Sequence, residues 1–176
     1  METTTKWVLD PTHSELTFKV KHMMITNVNG AFNNFSIDIE GEDIFDSKVQ
    51  VKVDASSINT NNADRDGHLK SADFFDVENF PQITFESTSM EEKDDEEYEL
   101  KGILTIKGVS KEVKLELEFG GINKDPWGNE KAGFSMSGKI HRKDWGLNWN
   151  AALETGGVLV SDEVKISGEF QFIKQS

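Results

Sequence analysis

The sequence predicts an all-β protein, an eight-stranded antiparallel barrel with one short helix inserted around residues 62–72. Three observations favour this fold: alternation of apolar and polar residues that recurs along the chain, turn residues between the alternating segments, and a single segment of helical character. Strict alternation is typical of a strand with one buried and one solvated face. Closing such a sheet removes its exposed edges, which favours a barrel over an open sheet.

The predicted strands follow one another at regular intervals, with Leu16, Phe18 and Val20 as the apolar face of the first. The eight segments are 14–21, 35–39, 49–54, 83–87, 98–106, 113–119, 133–140 and 164–172. Turns are expected between them at Asn29-Gly30, 41–43, Lys107-Gly108, Gly120-Gly121, 125–129 and Gly156-Gly157. The acidic run 90–99 predicts a solvated hairpin tip. Because no linker or repeat divides the chain, residues 1–176 are predicted to form a single domain.

Composition excludes several classes of function. A net charge of −13 without any basic run argues against binding to nucleic acid. The absence of cysteine excludes disulfides, thiolate metal sites and cysteine nucleophiles. The 12 phenylalanines and 4 tryptophans, against 1 tyrosine, predict dry aromatic surfaces in a core or around an apolar ligand. No cofactor is predicted.

The N-terminal sequence METTTKWVLD has no apolar signal region, and no later stretch approaches the roughly 18 apolar residues of a membrane span. As written, the sequence therefore predicts a cytoplasmic protein with no integral membrane segment. A periplasmic or secreted protein from which a signal had been removed would have the same N-terminus.

Residues 61–72 depart from the alternation and predict the short helix. Asn61 or Asn62 is a suitable N-cap, and Asp64 and Asp66 fall in the first turn, where carboxylates favour the helix dipole. The apolar side chains in and after this segment predict a lid that covers the barrel interior, and they are Leu69, Phe74 and Phe75.

The stretch 64–76 also raises an alternative, a metal-dependent or Asp/His enzyme, because Asp64 and His68 are spaced for an acid–base pair. A calcium loop needs a bidentate glutamate at its twelfth position, and Phe75 stands there. A zinc site needs more histidine or cysteine ligands than this stretch supplies. No nucleophile motif accompanies the pair. We therefore predict no metal, no catalytic residue and no enzyme activity, and this alternative stays open beside a ligand-free structural or stress-related barrel.

Seven pieces of the sequence, taken together, resemble the YceI-like family over residues 6–174. They are W-V-L-D-x-x-H-S (7–14), L-T-F-K-V-K-H (16–22), V-N-G-A-F (28–32), R-D-x-H-L-K-S-A-D-F-F-D (65–76), F-P-Q-I-T-F (80–85), G-x-L-T-I-K-G-V-S-K (102–111) and S-D-E-V-K-I-S-G-E-F (161–170). YceI-like proteins are bacterial, lipocalin-like eight-stranded barrels, and several hold a polyisoprenoid or another amphiphilic chain. The resemblance implies a binder of isoprenoid-type lipid, as carrier, store or sequestering protein, without catalysis. It also allows a homodimer.

The ligand-binding residues are predicted from the side chains expected to face the interior, since the resemblance brings no catalytic motif. The predicted walls are Phe18, Val20, Phe35, Ile37, Phe85, Leu104, Phe134 and Met136, with Met24 as an adaptable wall and Leu69, Phe74 and Phe75 as the lid. Trp145 and Trp149 are expected either to plug one barrel end or to grip the ligand. His22 and Arg65 are candidate donors to a polar head. Arg142 is a further candidate, for which an ion pair with a nearby aspartate is the preferred explanation.

Overall fold

The computed structural model describes residues 6–22, 25–40, 48–72, 74–147 and 160–175. Antiparallel strands form one sheet, and a helix α1 (Ala63–Lys70) follows the sixth of them. The strands are β1 (Lys6–Leu9), β2 (Glu15–His22), β3 (Thr26–Phe32), β4 (Phe35–Glu40), β5 (Lys48–Asp54), β6 (Ile58–Asn59), β7 (Gln82–Asp94), β8 (Glu97–Ile106), β9 (Val109–Lys124), β10 (Glu130–His141) and β11 (Val160–Gln175). Short 3-10 helices lie at Pro11–His13, Ala55–Ser57 and Arg142–Trp145.

These strands form eight continuous runs, because three runs are each broken once by a bend. β1 and β2 are halves of one run, since both pair with β11. The second run consists of β3 and β4, and the third consists of β5 and β6. The second run pairs with the first through β2–β3 and β1–β4, and with the third through β3–β6 and β4–β5. β7, β8, β9 and β10 follow, each beside its neighbour in sequence. The pairing of β11 with β10 and with the first run closes the sheet. The predicted eight-stranded antiparallel barrel is confirmed.

The two ends of the barrel differ in what covers them. At one end, here called the helix end, lie α1, the turn after β8 and the turn after β10. At the other, the hairpin end, lie the tight turn between β7 and β8 and the turn between β9 and β10. No helix within the described ranges is long and apolar enough to cross a membrane.

The alternation predicted from sequence orients the side chains of the long strands. On β9, Val113 and Leu115 are buried in the core, whereas Lys114 and Glu116 are exposed. The same pattern continues on β10 and β11, where Phe134, Phe170 and Phe172 pack into one cluster. The inner wall of the barrel is therefore the hydrophobic core of the protein.

Two predicted turns are wrong, because their glycines lie inside strands. Asn29-Gly30 lies in β3, where Gly30 pairs with Phe18. Gly120-Gly121 lies in β9, where Gly120 is an extra residue at a register shift between the pairs Gly133–Gly121 and Phe134–Phe119. The physical reason at Gly30 is space, since a Cβ there would lie 2.3 Å from the ring atom Cζ of Phe18. β1 and β3 were not among the predicted strands, and the structure shows them as parts of longer runs.

Asp10 holds the bend between β1 and β2. Its Oδ1 accepts hydrogen bonds from Thr12 N (3.1 Å) and Thr12 Oγ1 (2.7 Å). Its Oδ2 lies 2.9 Å from His13 Nδ1 and 3.2 Å from Lys131 Nζ. Partial burial raises the pKa of Asp10, but the hydrogen bonds from His13, Thr12 and Lys131 lower it more, so the pKa lies well below its usual range.

The backbone at the bend is tied to β11 as well. Asp10 N donates to Gln171 O at 2.8 Å. Ser14 Oγ donates to Asp10 O at 2.7 Å and accepts from Gln171 N at 3.1 Å. The bend therefore keeps its contact with β11 while the chain changes its other neighbour from β4 to β3.

Replacing Asp10 with alanine is expected to lower the free energy of unfolding by about 2 kcal/mol at neutral pH, since it removes a cap together with the carboxylate that contacts His13 and Lys131. The folded-state pKa lies below the unfolded value of about 3.9. The stabilisation is therefore fully present above that value and is lost as the pH falls through the folded-state pKa. Denaturant unfolding of wild type and Asp10→Ala across this pH range measures the difference.

The matched control is Asp38→Ala, which removes an exposed carboxylate from the outer face of β4. This change is expected to alter the free energy of unfolding by less than about 0.5 kcal/mol. A loss in Asp10→Ala that stays the same at acidic and neutral pH would contradict the role of the ionised carboxylate.

An apolar cavity as the candidate functional site

The barrel encloses a cavity of about 240 Å³ whose wall draws on all eight strand runs. Among the described residues that line it, every side chain except Thr17, Thr84 and Arg142 is hydrophobic. The wall extends from Leu69 and Leu147 at the helix end to Met90 and other residues toward the hairpin end. Such an interior suits an apolar ligand, because it offers very few hydrogen-bonding partners to a polar one.

The structure brings most of the predicted ligand-binding residues together on this wall. The residues that line the cavity include Phe18, Val20, Phe35, Ile37, Leu69, Phe74, Phe75, Phe85, Leu104, Phe134 and Met136. Their contact with a ligand stays a prediction.

Arg65 and Trp145 lie elsewhere. The guanidinium of Arg65 donates to Thr60 through Nε (2.8 Å to Oγ1) and Nη2 (2.8 Å to the carbonyl oxygen), beside α1 and not on the cavity wall. Trp145 is 2% exposed, and its Nε1 donates to Leu104 O at 2.9 Å. This geometry fits the plug expected of Trp145 rather than a ligand contact.

The remaining predicted residues are His22, Met24 and Trp149. The side chain of His22, and both Met24 and Trp149, lie outside what the structure describes. Their roles stay predictions.

Sequence reasoning missed much of the wall. Val49, Val51 and Val53 of β5 and Phe170 and Phe172 of β11 line the cavity. Their signal was present in the alternation already used for the same strands. Ile58, Phe32 and Leu147 also line it. These three lie at strand ends or in a turn, where alternation gives no signal.

The lid segment (residues 60–72 and 74–80) is positioned by its own polar side chains. Asn62 is the N-cap of α1, and its Oδ1 accepts from Arg65 N at 3.0 Å. Asp66 Oδ1 accepts from Thr60 N (2.9 Å) and Thr60 Oγ1 (2.5 Å). The rings of His68 and Phe74 are nearly perpendicular, with centroids 5.2 Å apart. The polar residues of this stretch therefore shape the connection between β6 and β7.

No group of three or more His, Cys, Asp or Glu side chains is arranged to hold a metal within residues 6–22, 25–40, 48–72, 74–147 and 160–175. In this part of the chain, Asp76 bonds to the side-chain nitrogen of Asn79 at 3.0 Å, and Asp64 is exposed. The described carboxylates of residues 64–76 are therefore explained by the local fold of this segment and need no metal ion.

The apolar side of the lid segment covers the helix end of the cavity. Leu69, Phe74 and Phe75 line the cavity from this side. The ring of Phe75 meets the ring of Phe32 edge to face, with centroids 5.9 Å apart. Lys107 Nζ, from the turn after β8, donates to the carbonyl oxygen of residue 72 at 3.1 Å. Packing and this hydrogen bond hold the segment against the barrel, as the lid prediction expects.

Arg142 is placed on the cavity wall by the turn that follows β10. Its Nη1 donates to Leu147 O at 2.6 Å, and Leu147 N donates to Arg142 O at 3.2 Å. Gly146, between them, has a φ of 80°, which favours glycine. Burial lowers the pKa of Arg142, and the charge of Asp162 raises it. The guanidinium nevertheless stays charged, because arginine does not deprotonate in proteins.

Comparison with known proteins gives a consistent picture over almost the whole chain. Residues 7–172 match the model of the YceI-like domain. A UPF0312 protein of Staphylococcus aureus strain N315 is 40% identical over 171 residues, 96% of this chain and 97% of that protein. The Campylobacter jejuni YceI crystal structure is 35% identical, with a TM-score of 0.75 over 89% of this chain and 90% of that one. A polyisoprenoid binding domain from Saccharophagus degradans shares the fold, with 16% identity and a TM-score of 0.73 over 96% and 98% of the two chains.

Substituting Gly30 with alanine is expected to make the cavity smaller. The new Cβ would overlap the ring of Phe18, which lines the cavity, so we expect the ring to shift into the cavity. We expect about tenfold weaker binding of an apolar fluorescent probe such as N-phenyl-naphthylamine, at a stability cost of about 1–3 kcal/mol. Probe titration and denaturant unfolding measure the two effects separately.

Gly67→Ala is the matched control, since a Cβ at Gly67 meets no atom within 4 Å and the site lies in α1. This change is expected to raise the free energy of unfolding by about 1 kcal/mol, through helix propensity, and to leave probe binding unchanged. Unaltered probe affinity in a folded Gly30→Ala protein would contradict the assignment of the Phe18 ring to the cavity wall.

Proposed function

The chain belongs to the YceI-like domain family, and on this premise we propose that it binds a long apolar chain inside the barrel, as carrier, store or sequestering protein. The ligand class is an isoprenoid or another amphiphilic lipid. The observation that carries the proposal is the cavity itself, which is enclosed by strands on all sides and lined almost wholly by hydrophobic side chains. In a cavity of this kind, the binding free energy comes mainly from the apolar surface that the ligand buries.

The apolar length of a ligand limits how tightly it can bind by burial alone. At about 0.8 kcal/mol for each buried methylene, a chain that buries eight of them gains about 6 kcal/mol. Association costs at least about 4 kcal/mol. Tight binding therefore needs a longer chain, around which the walls adjust, or a polar contact in addition.

The walls contain side chains that can adjust. Met90 and Met136 both line the cavity. Methionine is unbranched and has three rotatable bonds, so it repacks around ligands of different shape at low cost. These residues favour a site that accepts chains of several lengths.

A binding role fits the polar residues better than a catalytic one does. The carboxylate of Asp66 is bonded to Thr60, and the ring of His68 contacts Phe74, so both serve the lid segment. The Saccharophagus degradans neighbour, named as a polyisoprenoid binding domain, supports the ligand class. We therefore propose no enzymatic activity.

Gentle purification, organic extraction and mass spectrometry of the extract test the proposal directly. We expect a long-chain isoprenoid or other amphiphile in stoichiometric amount, and native mass spectrometry of the intact protein would also report whether it forms a homodimer. A folded protein that leaves purification empty and then takes up neither added polyprenols nor quinones would overturn the proposed function.

Val164→Trp is expected to displace most of this ligand, because Val164 lines the cavity and the larger side chain fills part of it. The matched control is Lys165→Trp, which places the same side chain on the exposed outer face of β11. The measurement is the ligand-to-protein ratio of each variant after identical purification, with circular dichroism to verify folding. Equal ligand content in both variants would place the ligand outside the barrel.

A further inference from the structure

The turn between β9 and β10, residues 125–129, presents a tryptophan to the solvent. Trp127 is 83% exposed, the highest value among the large hydrophobic side chains of the described residues, whereas Trp7 and Trp145 are buried. One exposed apolar side chain on a protein surface is common and needs no function. Trp127 differs from such a residue in the rigidity of its turn, its place at the barrel mouth and the charge around it.

Asp125 fixes the backbone on both sides of Trp127. Its Oδ1 accepts hydrogen bonds from Trp127 N (2.9 Å) and Asn129 N (2.9 Å), and its Oδ2 accepts one from Asn129 Nδ2 at 3.1 Å. Asp125 N also donates to Asn129 O at 2.9 Å. The ring of Pro126 restricts its own φ, and Gly128 has a φ of 88°, which favours glycine. The turn is therefore ordered before any partner binds, which lowers the entropy cost of burying the indole against that partner.

The strand that leads to this turn exposes part of the inner face of the barrel at the hairpin end. Ile122 of β9 pairs with Ala132 of β10, and residues opposite each other in an antiparallel pair share a face. Ala132 lies two residues from Phe134, so by alternation it faces inward with that cavity-lining ring. Ala132 is fully buried, whereas Ile122 is 46% exposed. Apolar side chains therefore continue from the cavity wall at Phe134 to the solvent at Ile122, just before the turn that carries Trp127.

The segment 122–131 is neutral although the chain is strongly acidic. Its two lysines balance one aspartate and one glutamate, whereas the whole sequence carries a net charge of −13. The acidic tip between β7 and β8 contacts β9 at Phe119, whose N donates to Glu96 O at 2.7 Å. β9 continues from there to Lys124, and at about 3.3 Å for each residue this carries the turn about 16 Å further along the strand. That distance exceeds the screening length of about 10 Å at moderate ionic strength, so the acidic tip acts only weakly on Trp127.

The size and chemistry of this tip favour a lipid bilayer as its partner over a protein. A tryptophan side chain buries about 150–250 Å², which is far less than the total of about 1,200 Å² in a stable protein interface. A bilayer needs no complementary surface. Tryptophan is enriched at membrane interfaces, because its ring is apolar while its N–H remains among polar headgroups. A long-chain lipid resides in membranes, so a protein that binds one has to meet a bilayer to exchange it.

We propose that the turn 125–129 docks on the headgroup region of a bilayer without net charge, with Trp127 inserted, so that the exposed inner face beside Ile122 is turned toward the membrane. This inference rests on the proposed function and adds to it the surface through which the protein meets the source of its lipid. The contact is weak and transient, since one indole provides most of it. The acidic outer faces disfavour an anionic bilayer.

Sucrose-loaded vesicles of phosphatidylcholine test the docking by co-sedimentation. Wild type is expected to sediment with them, and Trp127→Ala is expected to lower the partition coefficient about tenfold. Vesicles that contain brominated phosphatidylcholine are expected to quench the tryptophan fluorescence of wild type, and this quenching is expected to be lost in Trp127→Ala. Replacing about a third of the lipid with phosphatidylglycerol is expected to weaken binding at low salt, and equal or stronger binding there would overturn the preference for a neutral bilayer.

Ile25→Ala is the matched control, because Ile25 is also a strongly exposed apolar side chain, 77% exposed, and lies at the helix end, where β2 pairs with the start of β11. This change is expected to alter neither the partition coefficient nor the quenching. Titration with N-phenyl-naphthylamine verifies that the cavity is intact in both variants, since neither Ile25 nor Trp127 lines it. Binding that falls in Ile25→Ala and not in Trp127→Ala would place the membrane contact at the helix end and overturn the inference.

The remaining outcomes distinguish the inference from the proposed function. If the protein takes up polyprenols or quinones but neither sediments with the vesicles nor is quenched by them, the inference fails and the proposed function stands. Self-association of wild type that is lost in Trp127→Ala, measured by sedimentation velocity, would assign the turn to a second copy of the chain and would also overturn the inference. Vesicle binding that depends on Trp127, in a protein that takes up neither lipid, would support the docking while the proposed function fails.

Discussion

The whole barrel depends on the pairing of β11 with both halves of the first strand run. Its C-terminal residues pair with β1, and its N-terminal residues pair with β2. Without this closure the sheet would have two edges of unpaired backbone groups and an exposed apolar face. The closure spans a bend, and Asp10 holds that bend through Thr12, His13 and Lys131. A single buried carboxylate thus helps to maintain the enclosure on which the cavity relies.

Enclosure alone does not keep the interior free, because eight strands leave only enough width for side chains or one ligand. Three large rings lie against glycines of the wall, where a Cβ would come within about 2.4 Å of a ring atom. The pairs are Phe18 with Gly30, Phe85 with Gly102 and Phe170 with Gly168. Because each glycine lacks a side chain, the neighbouring ring can pack against the wall and does not extend along the barrel axis. The missing Cβ atoms therefore help to set the cavity volume.

The sequence predicted the fold and much of the wall because the inner and outer faces of long strands differ in polarity at every second residue. The same rule failed at Gly30, where the missing Cβ serves a ring inside a strand and not a turn. It also gave no position for Leu147, which reaches the cavity through a 3-10 turn and the left-handed Gly146. The hydrogen bond from Arg65 to Thr60 could not be predicted from the sequence either, because Thr60 precedes the helix and contacts Arg65 only when the lid segment folds.

The outer surface and the interior of the barrel differ in their charge. The net charge of the sequence is −13, and among the described residues acidic side chains such as Glu116 and Glu91 lie on outer faces and at a hairpin tip. This field repels anionic surfaces but is screened over about 10 Å at moderate ionic strength. Among the described residues, the cavity wall carries one charged side chain, that of Arg142, and is otherwise almost wholly apolar. A charge inside the barrel is screened far less by salt than a charge on the outer faces, so the acidic surface and the apolar interior act on a ligand independently.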